Sequence, residues 1–158
     1  MHRDDFERLY DEHAQGLFAF LSYRVNNRAL AEDLLADTFE KVLTARRRHD
    51  PRRASEKTWI YAIALNVLRD HVRRSAAESR AYERVDEGVA RDVFADVETR
   101  DELMRGMSRL SAEEREAIAL RFGAALTVPE MATVLGEPLT TIEGRVYRAL
   151  RKLRESLA

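Results

Sequence analysis

Three groups of residues in this chain have types and spacings that could do chemistry. The first lies in Val134 to Arg154, "VLGEPLTTIEGRVYRALRKLR". A short segment from Pro129 to Leu135, a turn at Gly136 and a longer segment from Thr140 have the lengths of a helix-turn-helix. The outward face of the longer segment is predicted to carry Thr141, Arg145 and Arg148, with Arg151 and Lys152 further along. Thr140, Thr141 and the free N–H groups of a first helical turn can bind a phosphate. Arg145 and Arg148 stand about a turn apart and can reach bases or backbone. Glu143 and Gly144 interrupt the basic run. A carboxylate there can accept a hydrogen bond from a cytosine N4 amine, and glycine lets the backbone approach closely. A merely solvated basic helix would show the same charges.

The second group is "KTWIYAIALNVLRDHVRR". Trp59, Ile63 and Val67 form a stripe that reads as core. The other face is predicted to show Tyr61, Asn66, Arg69, Asp70 and Arg73 beside a basic loop. Aromatic, amide and basic groups together suit unstacked bases and a phosphate backbone, although an ordinary exposed face would also fit. The third group is acidic: Asp33, Asp37 and Glu40, with Lys41 beside them. Asp33 and Asp37 stand one turn apart and repel mildly. The four histidines show no HxxxH or HxH spacing, so no metal site is expected, and docking on a protein fits this face better.

The elements that must hold these groups are helical. Apolar spacing of three and four runs almost throughout, and no alternating strand is visible. Helices are predicted over about 4–24, with a break near Gly16, over about 29–45, and from Ser55, an N-cap. Pro51 rules out a continuous helix through the basic loop. Residues 76–98 read as an acidic linker with few large apolar side chains. Beyond it, Ser111 opens a capping box, Gly123 is read as a C-cap, and Thr127 caps a helix with Pro129 in its first turn. The fold class is all-α, with units at 1–75 and 99–158 joined by the linker 76–98.

Bulk properties narrow the function. The absence of cysteine excludes disulfides and thiolate metal sites. The acidic start does not resemble a signal peptide, and no apolar run approaches the roughly 20 residues of a membrane span. A cytoplasmic protein with no cofactor is expected. The net charge of −1 hides an asymmetry. Arg46 to Arg74 holds nine bases against three acids, +6; Glu78 to Glu102 holds four against nine, −5; Leu139 to Ala158 holds five against two, +3. Two basic blocks flanking an acidic one fit phosphate contacts.

In order and spacing these pieces resemble the extracytoplasmic-function sigma factors, the small two-domain initiation factors of bacterial RNA polymerase. "AEDLLADTFEKVL" is similar to the family's core-polymerase-binding helix, "TWIYAIALNVLRDHVRR" to its minus-ten helix, and "LSAEEREAIALRF" with "EMATVLGEPLTTIEGRVYRALRKLR" to its minus-thirty-five domain. The resemblance implies that Asp33, Asp37, Phe39 and Glu40 dock on the β′ clamp helices of the polymerase core, with the β flap as a further contact. It implies that Asn66 captures an unstacked minus-ten base, and that residues 46–57 form the specificity loop. Trp59, Tyr61, Arg69, Asp70 and Arg73 complete the minus-ten set. Thr140, Thr141, Glu143, Gly144, Arg145 and Arg148 form the minus-thirty-five set. The family's acidic linker often lies in the RNA-exit path, and an anti-sigma factor commonly holds such proteins. Ala36, Ala62, Glu143 and Gly144 depart from the family pattern.

The resemblance thus implies promoter-specific initiation with no enzymatic activity; the rival is a stand-alone helix-turn-helix regulator of duplex DNA. A small helical enzyme using Asp33, Asp37 and a histidine has no coherent site. On the initiation reading Glu143 sets sequence preference, so Glu143→Ala is expected to change the preferred upstream element, which selection of bound promoter sequences with reconstituted holoenzyme checks.

Overall fold

The structure is a computed structural model that describes residues 3–25, 27–82 and 97–157. Seven α-helices are present among them: α1 (Arg3–Val25), α2 (Arg28–Ala45), α3 (Glu56–Tyr82), α4 (Val97–Ser108), α5 (Ala112–Ile118), α6 (Val128–Leu135) and α7 (Leu139–Leu157). A 3₁₀ turn (Arg46–Arg48) follows α2, and a π turn (Ala119–Gly123) follows α5. No described helix is long and apolar enough to cross a membrane.

Local chemistry sets most of the boundaries. The Asn27 side chain accepts from the Leu30 N–H and starts α2. Ser55 accepts from the Thr58 N–H and starts α3. Ser111 with Glu114, and Thr127 with Glu130, form two complete capping boxes, each satisfying two otherwise orphaned donors. Gly136 ends α6 at φ 67°, in the left-handed region, and its N–H and that of Glu137 both donate to the Ala132 carbonyl.

Helices α1, α2 and α3 pack on one another as a first unit, and α4 to α7 as a second. The two are also pressed together: α1 lies along the π turn and α3 against α6. One apolar core is continuous across both, from Leu9, Leu17, Phe20, Tyr61 and Leu68 to Leu120, Leu126, Met131 and Ile142. A smaller cluster of Met107, Leu110, Ile118, Ala149 and Leu153 fastens α4 to α7.

Two glycines act otherwise than their sequence context suggests. Helix α1 runs unbroken through Gly16, whose missing side chain makes room for the buried Tyr61 hydroxyl. Gly123 is no C-cap; the positive φ of 58° falls on Ala125 instead. Gly123 lies against α1, where a Cβ would sit 2.8 Å from Tyr23 Cδ2 and 3.1 Å from the Ala19 carbonyl oxygen. Helix α3 continues to Tyr82, seven residues into the segment read as linker, and residues 83–96 of that segment lie outside the described residues.

Gly16→Ala tests this packing because two effects oppose. Alanine gains about 1 kcal/mol of helix propensity, but its Cβ would lie 2.5 Å from the Tyr61 Oη. Tyr61 is too buried to yield, and overpacking costs about 1–3 kcal/mol. Thermal unfolding should show the variant's Tm lowered by about 2–6 °C.

Candidate nucleic-acid interface

The minus-ten candidates lie where α3 meets the basic turn after α2. Asn66 is exposed and lines a cleft of about 340 Å³ with Lys41, Thr44, Arg48, Ile63 and Asp70. A second cleft of about 440 Å³, lined by Arg48, His49, Asp50, Arg53 and Trp59, adjoins it through Arg48. Both lie at the small end of ligand-binding clefts, about 300–1,000 Å³. The Trp59 ring stacks on His49 with centroids 4.8 Å apart and planes at 26°. His49 Nε2 lies 2.9 Å from the Ala54 carbonyl oxygen, which ties the turn closed. The amide of Asn66 can meet a base edge, and Lys41, Arg48 and Arg53 can meet phosphates.

Two of the predicted minus-ten residues are placed differently. Tyr61 is 2% exposed, edge-on to Phe20, and belongs to the core. Its burial pushes the hydroxyl well above the ordinary phenol range. The helix brings it under Ala64 and Leu65, so α3 buries a wider stripe than one apolar row predicts. Arg69 is on the surface but engaged: its Nε and Nη2 donate to Glu116 on α5 at 3.0 and 2.8 Å. The Glu116 hydrogen bonds raise the Arg69 pKa. Asp70 pairs with Arg73 on the same helix.

On α2, Asp33, Asp37 and Glu40 are exposed together on one face, as predicted. Phe39 is 4% exposed and sits between Phe6 and Tyr10, at 6.0 and 4.8 Å. It therefore joins α1 to α2, and it borders a cleft with Tyr10, Phe18, Leu35 and Ala36.

Helices α6 and α7 cross at the Gly136 turn, and Ile142, Val146, Ala149 and Leu153 of α7 face inward. Thr140, Thr141, Glu143 and Arg148 are exposed, with Gly144 half-buried beside Arg148. Arg145 is not on the outward face: it is 8% exposed. Its Nη1 and Nη2 donate to Glu137 at 2.9 and 2.8 Å, and Glu113 lies 3.9 Å away. Each partner holds the other charged: Glu137 raises the Arg145 pKa, and Arg145 lowers that of Glu137. Spacing explains the displacement, because Arg145 falls three residues after Ile142 and four before Ala149, inside the buried stripe. Lys152 is likewise engaged, donating to both Glu114 oxygens at 2.9 and 3.1 Å.

The exposed face has a member that sequence reasoning missed. Tyr147 is 64% exposed, between Glu143 and Arg151 on α7. The signal was available, since its spacing from Ile142 and Ala149 turns it outward. Also missed was a cluster of Glu12, His13 and Glu56, whose potential ligand atoms lie within 4.8 Å of one another. Arg8 donates to both carboxylates at 2.9–3.2 Å. It lowers the Glu56 pKa, so the cluster already holds a cation and works as an ion-pair tie between α1 and α3.

Among the described residues, a helix-turn-helix at Gly136 and exposed polar and basic side chains on α3 and α7 give the arrangement of a two-unit DNA-binding protein. Comparison with known proteins resolves the class further. Residues 9–78 match Sigma-70 region 2 and residues 100–153 match Sigma-70, region 4. CarQ, an RNA polymerase sigma factor of Myxococcus xanthus, is 32% identical over 98% of this chain and 90% of its own length. The ECF RNA polymerase sigma factor BldN of Streptomyces coelicolor is 31% identical over 98% of this chain, which spans 61% of that relative's length. Sigma factor RpoE of Bartonella quintana, solved with the anti-sigma factor NepR, superposes with a TM-score of 0.81 at 25% identity, covering 97% of this chain and 96% of that one. CnrH, solved with the cytosolic domain of CnrY, gives 0.75 at 27% identity, covering 99% and 89%. The chain belongs to the extracytoplasmic-function family of RNA polymerase sigma factors.

The two arginines of α7 should separate in mutants. Arg145→Ala is expected to cost about 1–3 kcal/mol of stability through the lost charged hydrogen bonds. Arg148→Ala should leave Tm unchanged, weaken DNA binding and reduce the slope of log K against log salt by about 1. Paired melting and salt-titration measurements check both.

Proposed function

We propose that this chain directs bacterial RNA polymerase to specific promoters and helps open the minus-ten region. The exposed Asp33, Asp37 and Glu40 face of α2 docks on the β′ clamp helices of the core enzyme. The two clefts at Asn66 and Trp59 take unstacked minus-ten bases, and α7 reads the minus-thirty-five element through Thr140, Thr141, Glu143, Gly144 and Arg148. Residues 1–75 serve as the first functional domain, 99–158 as the second, and the acidic segment between them follows the RNA-exit path. The chain carries out no reaction of its own. Melting comes from trapping flipped bases, which offsets roughly a few kcal/mol of unstacking.

The observation that carries this reading is the juxtaposition of Asn66, Lys41 and Arg48 around one cleft on the same unit as the acidic α2 face. A stand-alone duplex-binding regulator uses neither feature. An anti-sigma partner is also proposed, supported by the two relatives solved with NepR and CnrY.

Run-off transcription with bacterial core polymerase tests the proposal. Specific initiation is expected, with Asn66→Ala losing open-complex formation by about tenfold while core binding is kept. A chain that neither co-elutes with core nor initiates at any promoter sinks the reading.

A further inference from the structure

The two DNA-facing surfaces are not independent. Arg69 and Lys57, both on α3, are held by acids of the second unit. Arg69 makes its two-pronged pair with Glu116 on α5, and Lys57 Nζ lies 3.5 Å from Glu130 on α6. The same two units also meet along an apolar seam in which Gly123 touches α1.

We infer that this seam is a latch in which Glu116 and Glu130 occupy Arg69 and Lys57 in place of promoter phosphates, so that closure of the two units and binding of minus-ten DNA exclude one another. The inference rests on the proposed function. Carboxylate oxygens meet a guanidinium fork as phosphate oxygens do, so one Arg69 cannot serve both. The span agrees. Elements centred about 25 base pairs apart are about 85 Å apart at roughly 3.4 Å per base pair. Units in van der Waals contact cannot hold both, so the closed form is the one that does not engage a promoter.

The seam is also built to open. Arg24 of α1 lies within it, its Nε buried with no hydrogen-bond partner. Burial lowers its pKa first, Arg115 and Arg69 act the same way, and Glu116 opposes them. A half-buried cation whose buried Nε has no hydrogen bond opposes what the Arg69–Glu116 fork gains, which suits a reversible contact better than a permanent one. The relative solved with NepR shares this whole-chain arrangement with an anti-sigma factor present. Here the chain's own side chains supply the contacts.

The cysteine-free sequence allows a donor–acceptor dye pair at Glu7→Cys and Glu155→Cys, both exposed. In the full chain at about 50 mM salt, high transfer efficiency is expected. Glu116→Gln with Glu130→Gln should shift the open-to-closed ratio about tenfold toward open. Raising salt to about 500 mM should do the same to the parent. Gly123→Leu should open the seam sterically with every charge intact, and circular dichroism confirms that each variant keeps its helices. The double glutamine variant should also bind an oligothymidylate of about 20 nucleotides several-fold tighter, because the intramolecular competitor is gone. Equal transfer efficiency in parent and double variant at both salt levels overturns the latch. Unchanged oligothymidylate affinity in an opened variant overturns the phosphate-surrogate role. Both readouts are independent of promoter activity, so a failed latch and a failed run-off assay are distinguishable.

Discussion

Both units of this protein are small, and in the closed arrangement they bury one continuous apolar core, a contact that organises the rest. Chains of about 60 residues bury only about 60% of the surface they expose when unfolded. Helix α1 serves both units in that arrangement. Its one face holds α2 and α3 through Leu9, Leu17 and Phe20, while its far end lies along the π turn beside Gly123. Apolar burial is non-directional and sets no register. Register comes from the glycines that let backbones and Tyr61 approach closely, and from the ion pairs at the rim.

Those ion pairs also decide which charges remain available. Of the basic residues on α7, Arg145 is spent on Glu137, and Lys152 on Glu114. On α3, Arg69 answers Glu116. Acids of α5 and of the Gly136 turn therefore occupy these three cations and leave Arg148 exposed. The face that remains on α7, with Thr140, Thr141, Glu143, Tyr147 and Arg148, is narrower and less basic than the charge count of the segment implies. Arg145 orients the helix that Arg148 uses.

Much of the architecture was legible before any coordinates. Ser111–Glu114 and Thr127–Glu130 announce two helix starts within four residues each, and Gly136 announces a turn, because capping is local chemistry. Asp33, Asp37 and Glu40 on one face of α2 follow from the helical period alone. The errors have a common cause. Tyr61 and Arg145 are amphipathic side chains at the edge of an apolar stripe, where the period leaves both directions open. Their burial depended on what stood opposite: Gly16 across from Tyr61 and Glu137 across from Arg145. Gly16 and Gly123 were misread for the same reason, since a glycine that admits a distant neighbour looks locally like a helix breaker.

By itself the sequence determined the all-helical class, the helix starts, the helix-turn-helix and the order of motifs that places the chain in its family. Apart from the motif order, these are properties of windows shorter than about 20 residues, where propensity, capping and period act without long-range help. Only the tertiary structure decided that the two units share a core, that Glu116 takes Arg69, and that Arg8 reaches Glu56 on α3. Each of those contacts joins residues that lie far apart in the chain or on separate helices. An ion pair has no sequence signature at that range, because its partners are chosen by how the helices pack and not by their neighbours in the chain.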